Sequence, residues 1–180
     1  MKLSARAASA FFAALVVSFA TTPAAAQDGK VSLFAGYAFM KTDDGNLNGL
    51  RLSPAWKLNS FASAVADVSA EKGTLSGASN TLYTYMGGVR LHRGIGGLNL
   101  FVHALAGGVR TSASVSPFSG VTVSVSESHL AYDGGGGLDF HFKGSIRFRV
   151  GADYLRRKVD VGAGKSTNVS DIRATAGFVF

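Results

Sequence analysis

Four histidines, His92, His103, His129 and His141, are the candidate general bases and metal ligands of this 180-residue chain, and no two stand at a metal-ligand spacing. The lack of cysteine removes disulfides, thiolate metal sites and a cysteine nucleophile. The nearest approach to a nucleophilic triad is His129 with Ser126 or Ser128 and Glu127 or Asp133. Serines crowd this stretch and no catalytic signature surrounds them, so the grouping is weak. Gly162, Ala163, Gly164, Lys165 and Ser166 match the end of a phosphate-binding loop, but Val159 stands where that loop needs its first glycine. The glycine run 134–137 lacks dinucleotide spacing; within a strand it marks a kink or the close approach of an aromatic ring. Asn168, Val169 and Ser170 spell a glycosylation sequon, of consequence only where glycosylation occurs. No catalytic residue, cofactor or metal is expected.

The N-terminus is a targeting segment rather than part of the fold. Lys2 and Arg6, the apolar stretch 8–20 and the small residues Ala24, Ala25 and Ala26 make residues 1–26 a secretory signal peptide. Pro23 closes the apolar run short of the roughly 20 residues that a membrane helix needs. Cleavage after Ala26 leaves residues 27–180 as one domain, and losing two cations takes the formal charge from +7 to +5. Most Lys and Arg alternate with apolar residues instead of forming a cationic stripe, so nucleic acid is not an expected partner.

Period-two alternation divides the mature chain into eight segments of about ten residues: 31–40, 48–58, 61–71, 82–91, 98–109, 129–142, 146–155 and 171–180. Pro54 predicts a bulge or distortion in the second. In every segment one parity is apolar and uncharged, as in Val31, Leu33, Ala35, Tyr37 and Phe39, or Ile172, Ala174, Ala176, Phe178 and Phe180. The opposite parity collects the cations Arg51, Lys57, Arg90, Arg147, Arg149 and Arg173 and the acids Asp67, Glu71, Asp133, Asp139, Asp153 and Asp171. A Lys or Arg facing lipid near the bilayer midplane costs about 2–4 kcal/mol, so an uncharged face suits a membrane. Alternation by itself fits a soluble lipocalin-like barrel equally well, with the faces exchanged.

The aromatics separate these readings. If odd segments run outward, Tyr37, Phe39, Tyr83, Tyr85, Tyr132 and Tyr154 fall at the outer level, and Trp56, Phe140, Phe142, Phe148, Phe178 and Phe180 at the inner one. Two girdles around an Ala, Val, Leu and Gly band are what an outer-membrane barrel needs. The expected fold is an all-β, eight-stranded antiparallel up-and-down transmembrane β-barrel. Its inner connections, near Asn59, at 94–97 and at 143–145, are short and its outer ones longer. Hydroxyl-bearing residues on the outward parity between Arg110 and Ser128 predict that segments five and six continue past the membrane as a hairpin, whose edge suits an extracellular protein partner by β-augmentation. An eight-stranded barrel has room only for its own side chains, so the twelve charges are expected to form a structural network without a wide pore. A three-residue turn at 143–145 puts Asp139 across from Arg149 and His141 across from Arg147.

With its leader, its alternating spans, the stretch Phe101, Val102, His103, Ala104, Leu105, Ala106 and Gly107, and the terminal Phe178, Val179 and Phe180, the chain resembles the small outer-membrane β-barrel domain family of OmpA-like, OmpX-like and opacity-type surface proteins. The resemblance implies residence in the outer membrane of a Gram-negative bacterium, in contact with outer-membrane lipid and lipopolysaccharide. It also implies insertion by the barrel assembly machinery, which would read Phe178 and Phe180 in the closing strand. The chain ends on the barrel, so the peptidoglycan-binding domain of some OmpA-like proteins is not expected. The expected role is structural or one of surface interaction through extracellular loops, without catalysis. The alternatives are an outer-leaflet lipid-modifying enzyme and a soluble periplasmic lipocalin-like barrel holding an apolar ligand.

Overall fold

The computed structural model describes residues 30–75, 78–118, 121–160 and 166–180. The predicted signal peptide and most of the phosphate-loop-like stretch, 162–165, lie outside the described residues. Eight strands follow in chain order: β1 (Val31–Thr42), β2 (Gly45–Lys57), β3 (Ala62–Leu75), β4 (Ala78–Ile95), β5 (Leu98–Phe118), β6 (Val121–Lys143), β7 (Ile146–Asp160) and β8 (Ser166–Val179). Each pairs antiparallel with its sequence neighbours, and β1 pairs with β8 to close an all-β barrel. At the seam the Phe180 amide donates to the Leu33 carbonyl at 3.0 Å, and the Leu33 amide donates back at 3.1 Å. Closure removes the unpaired edges that an open sheet would leave.

The strands exceed the expected lengths chiefly at the end opposite the termini, the hairpin end. β5 spans 21 residues and β6 spans 23. The connections there are not the long loops expected: β1 and β2 meet across Asp43 and Asp44, and the ladder between β5 and β6 reaches Phe118 and Val121. Extending a hairpin pairs each new N–H with a C=O, which an irregular loop does not. β4 accompanies β5 only to Ser114, and β7 joins β6 only from Ala131, so the hairpin stands clear of the barrel as a two-stranded ribbon.

At the other end, the turn end, connections are tight. Gly96 and Gly144 take φ of 61° and 58°, a region that glycine enters without a Cβ clash. The turn after β6 comprises Gly144 and Ser145, two residues rather than the expected three. A register shift between His141 and Lys143 absorbs the difference, so Asp139 faces Arg149 and His141 faces Arg147. The distortion expected at Pro54 takes the form of a gap in the ladder rather than a bulge. Leu33 spends its amide and carbonyl on Phe180, which turns the nitrogen of its partner Pro54 toward β3. Pairing with β3 skips Ser53 and Pro54 and resumes at Ala55 in the same register. The Ser53 hydroxyl lies 3.4 Å from the Ala66 carbonyl, which the proline nitrogen cannot serve.

The outer face carries exposed Leu50, Val89, Val102, Leu130 and Ile172. Exposed Tyr37, Tyr85, Tyr132 and Tyr154 stand on the hairpin side of Val89 and Val102, with Leu50 and Ile172 level with their ladder partners Tyr37 and Tyr154, and exposed Trp56, Phe142, Phe178 and Phe180 lie toward the turn end. The upper ring keeps polar tips: Tyr37 donates to Asn48 Oδ1 at 2.9 Å and Tyr154 to Ser170 Oγ at 2.6 Å. The lower ring packs edge to face, with Phe178 against Phe142 and Phe148 at 5.8 and 5.5 Å. Tyrosines outside and charges inside overturn the lipocalin-like alternative, which needs an apolar cavity.

The glycine run in β6 makes room for its neighbours. Phe101 is buried and faces Gly137 across the ladder, and a Cβ at Gly137 would lie 2.1 Å from the Val150 carbonyl oxygen of β7 and 2.9 Å from the Phe101 ring. Gly134 has nothing within 4 Å of such a Cβ. Gly137→Val is expected to cost about 1–3 kcal/mol through overpacking, read as a lower urea midpoint of the folded barrel. Gly134→Val should cost clearly less, and equal losses would show that neither the β7 backbone nor Phe101 needs the space.

Candidate functional site

Alternation sends every second residue into a bore that eight strands make only wide enough for side chains. Ten of the twelve expected charges are buried there: Arg51, Asp67, Glu71, Arg90, Asp133, Asp139, Arg149, Asp153, Asp171 and Arg173. Lys57 and Arg147 stand nearer the mouth, because Lys57 ends β2 and Arg147 is the second residue of β7. Lys57 is exposed, and the Arg147 side chain is 29% exposed.

Arg173 on β8 is the hub. It contacts Asp133 on β6 through Nη2, Asp153 on β7 through Nε at 3.3 Å, and Glu71 on β3 through Nη1 at 3.4 Å. Arg51 on β2 donates through Nε to Asp67 at 2.7 Å and through Nη1 to Asp153 on β7. Both guanidiniums therefore bridge strands that are not neighbours in the wall. Hydroxyls complete the shell, with Ser53 donating to Asp67 at 2.8 Å and Ser69 to Glu71 at 3.0 Å. Between adjacent strands, Arg149 clamps Asp139 through Nε and Nη2 at 2.6 and 2.8 Å. Such forked pairing fixes orientation as well as charge.

An aromatic layer lies beside this network toward the turn end. The Arg149 guanidinium sits 4.3 Å from the Phe101 centroid and 5.4 Å from that of Phe34, and Arg90 sits 5.1 Å from Phe101. Ring faces attract cations where water is excluded. Toward the hairpin end, Met40, Leu47, Leu82, Val109, Ala131 and Leu155 form an apolar layer. Arg157 and Asp171 pair at 2.9 Å.

Sequence reasoning missed Arg157 and the acid contacts of His103. Arg157 continues the inward parity of Arg147, Arg149 and Asp153 just past the end predicted for its segment, so extending that segment would have included it. His103 lies on the inward parity, and its Nε2 is 3.1 Å from oxygens of both Asp133 and Asp153. The ligating atoms of these three residues lie within 4.8 Å of one another. They do not fit a metal ion, because Arg51 and Arg173 already occupy both carboxylates and would repel a cation. The other histidines lie apart. His141 is exposed at the turn end, and His129 meets Glu127 at 3.3 Å. Ser128 alternates to the opposite face of β6 and Asp133 is committed to Arg173 and His103, so neither completes a triad with His129. The Ser126 side chain lies outside the described residues.

Removing one partner of a buried ion pair strands the other charge, at about 3–5 kcal/mol. Arg173→Met should therefore lower stability by about that amount, with Trp56, the only tryptophan, as the fluorescent reporter of unfolding. Adding Asp133→Asn should restore part of the loss, and strictly additive losses would show that the two do not interact.

No family model and no curated protein matches the sequence. Solved structures do match. Neisserial surface protein A aligns over 83% of this chain and 94% of its own, at 16% identity and a TM-score of 0.62. Ail, the attachment invasion locus protein of Yersinia pestis, aligns over 83% and 96%, at 23% identity and a TM-score of 0.55. The N-terminal β-barrel domain of Pseudomonas aeruginosa OprF aligns over 84% and 98%, at 14% identity and a TM-score of 0.54. Closed antiparallel topology, a charged bore and an apolar exterior, together with these likenesses, give this chain the fold of the small eight-stranded outer-membrane β-barrels.

Proposed function

We propose that the protein is an integral barrel of a Gram-negative outer membrane that presents the β5–β6 hairpin at the cell surface for interaction with other molecules, without catalysis. The observation that carries this reading is the exposed apolar band between two aromatic rows, outside a barrel whose charges are buried. In lipid, backbone groups must be paired within the protein, and a closed barrel meets that demand. Residues 1–26 would export the chain as a signal peptide and be removed. The apolar band would face outer-membrane lipid and the tyrosine end lipopolysaccharide. Phe178 and Phe180, exposed at the end of the closing strand, would be the residues read by the barrel assembly machinery.

The hairpin is the favoured contact surface because its backbone is not fully used. Among the described residues β6 has no β7 partner before Ala131, so one edge of the ribbon offers free N–H and C=O groups. An extended segment of an extracellular protein would add to that edge as a further strand.

Membrane and soluble periplasmic fractions, each run boiled and unboiled on an SDS gel, test residence. The expected result is membrane-bound protein whose mobility changes on boiling; soluble protein without that change would overturn the reading. An epitope inserted between Ser119 and Gly120 tests presentation. Antibody should label intact cells, and labelling only after the outer membrane is permeabilised would place the hairpin on the wrong side.

A further inference from the structure

At the turn end the bore opens into a cavity of about 250 Å³. Its wall carries five cations, Lys30, Lys57, Arg90, Arg147 and Arg149, with His92, against one carboxylate, Asp139. That carboxylate is already clamped by Arg149 and lies 3.5 Å from Arg147. Arg90 is the informative member. It is only 5% exposed, yet among the described residues it forms no ion pair, whereas Arg51, Arg149 and Arg173 each hold at least one carboxylate. Its Nε has no hydrogen-bond partner, and its Nη2 reaches only the Ser53 hydroxyl, at 3.5 Å. The Phe101 face offsets part of the charge without accepting a hydrogen bond in the guanidinium plane.

A buried cation with no carboxylate in contact is costly, and an anion that reached it would relieve that cost. We propose that this mouth is a binding site for a small, multiply charged oxyanion of the phosphate type, with Arg90 at its floor and Lys57 and Arg147 at its rim. Guanidinium groups present planar paired donors that match phosphate oxygens. Five cations against one acid favour a multiply charged ion over chloride. The volume admits a phosphate group and is too small for a polymer. The same group could arrive as free inorganic phosphate or on a lipid headgroup.

The test is titration of inorganic phosphate into the barrel refolded in non-ionic detergent, in a chloride background. Saturable binding is expected, weakened about tenfold or more by Arg90→Met. Arg90 has no acid partner to strand, so this variant should keep the heat-dependent gel mobility of the folded barrel. Phosphate should also raise the urea midpoint of the wild type and leave that of the variant unchanged. Folded wild-type barrel without saturable binding or a midpoint shift would overturn the site while leaving outer-membrane residence intact. Equal phosphate affinity in the Arg90→Met variant would overturn it as well. Titration with sn-glycerol 3-phosphate identifies the source: tighter binding than phosphate points to a headgroup, weaker binding to the free ion.

Discussion

A strand that shows one face to an apolar surround sends its other face into the barrel, and eight strands enclose too little space for the charges there to keep their water. Neutralisation must therefore happen in place. The backbone ladder ties each strand to its neighbours, while Arg173 and Arg51 tie β8 to β3 and β2 to β7 across the bore. Wall and filling are held by different bonds. The glycines of β6 belong to the same economy of space, since the Phe101 ring, on which two arginines rest, occupies room that a Cβ at Gly137 would take.

Strand number, facing and topology were legible in the sequence because each depends on contrast between adjacent residues. Tyr37 stands between Gly36 and Ala38, and Phe148 between Arg147 and Arg149, and their outward direction follows. The pairing of Asp139 with Arg149 was legible for a related reason, since a short turn fixes the register of the two strands it joins. The cross-bore bridges were not. Which inward residue of β8 meets which of β3 depends on how the strands shear as the sheet closes, a property of the ring rather than of any segment. Strand ends were blurred wherever polar residues stand on both faces, as between Arg110 and Ser128, because alternation then has nothing to contrast. His103 fell between the two cases: its direction was visible and its acidic partners were not.

The two ends of the barrel are chemically unlike. At the hairpin end, Met40, Leu47, Leu82 and Leu155 form an apolar layer, with the extended ribbon beyond. At the turn end the filling stops short, and surplus cations line an open mouth. Strand polarity alone would not produce this difference. It arises from side-chain choice on the inward parity, where long aliphatic residues fill the hairpin end of the bore and arginines with aromatic rings the turn end. A molecule approaching from one side meets backbone edge; one approaching from the other meets charge.

Arg173 also bears on the order in which the chain can become a barrel. Glu71, Asp133 and Asp153 lie on β3, β6 and β7, whereas the guanidinium that joins all three is carried by β8, the last strand in the chain. Until β8 docks, Glu71 has no cation in contact among the described residues, and Asp133 and Asp153 have only His103 and Arg51. Sealing the seam with β1 and balancing the interior are then a single event. The final strand acts as a key as well as a stave, and a partly closed sheet has an electrostatic reason to stay wet until that strand arrives.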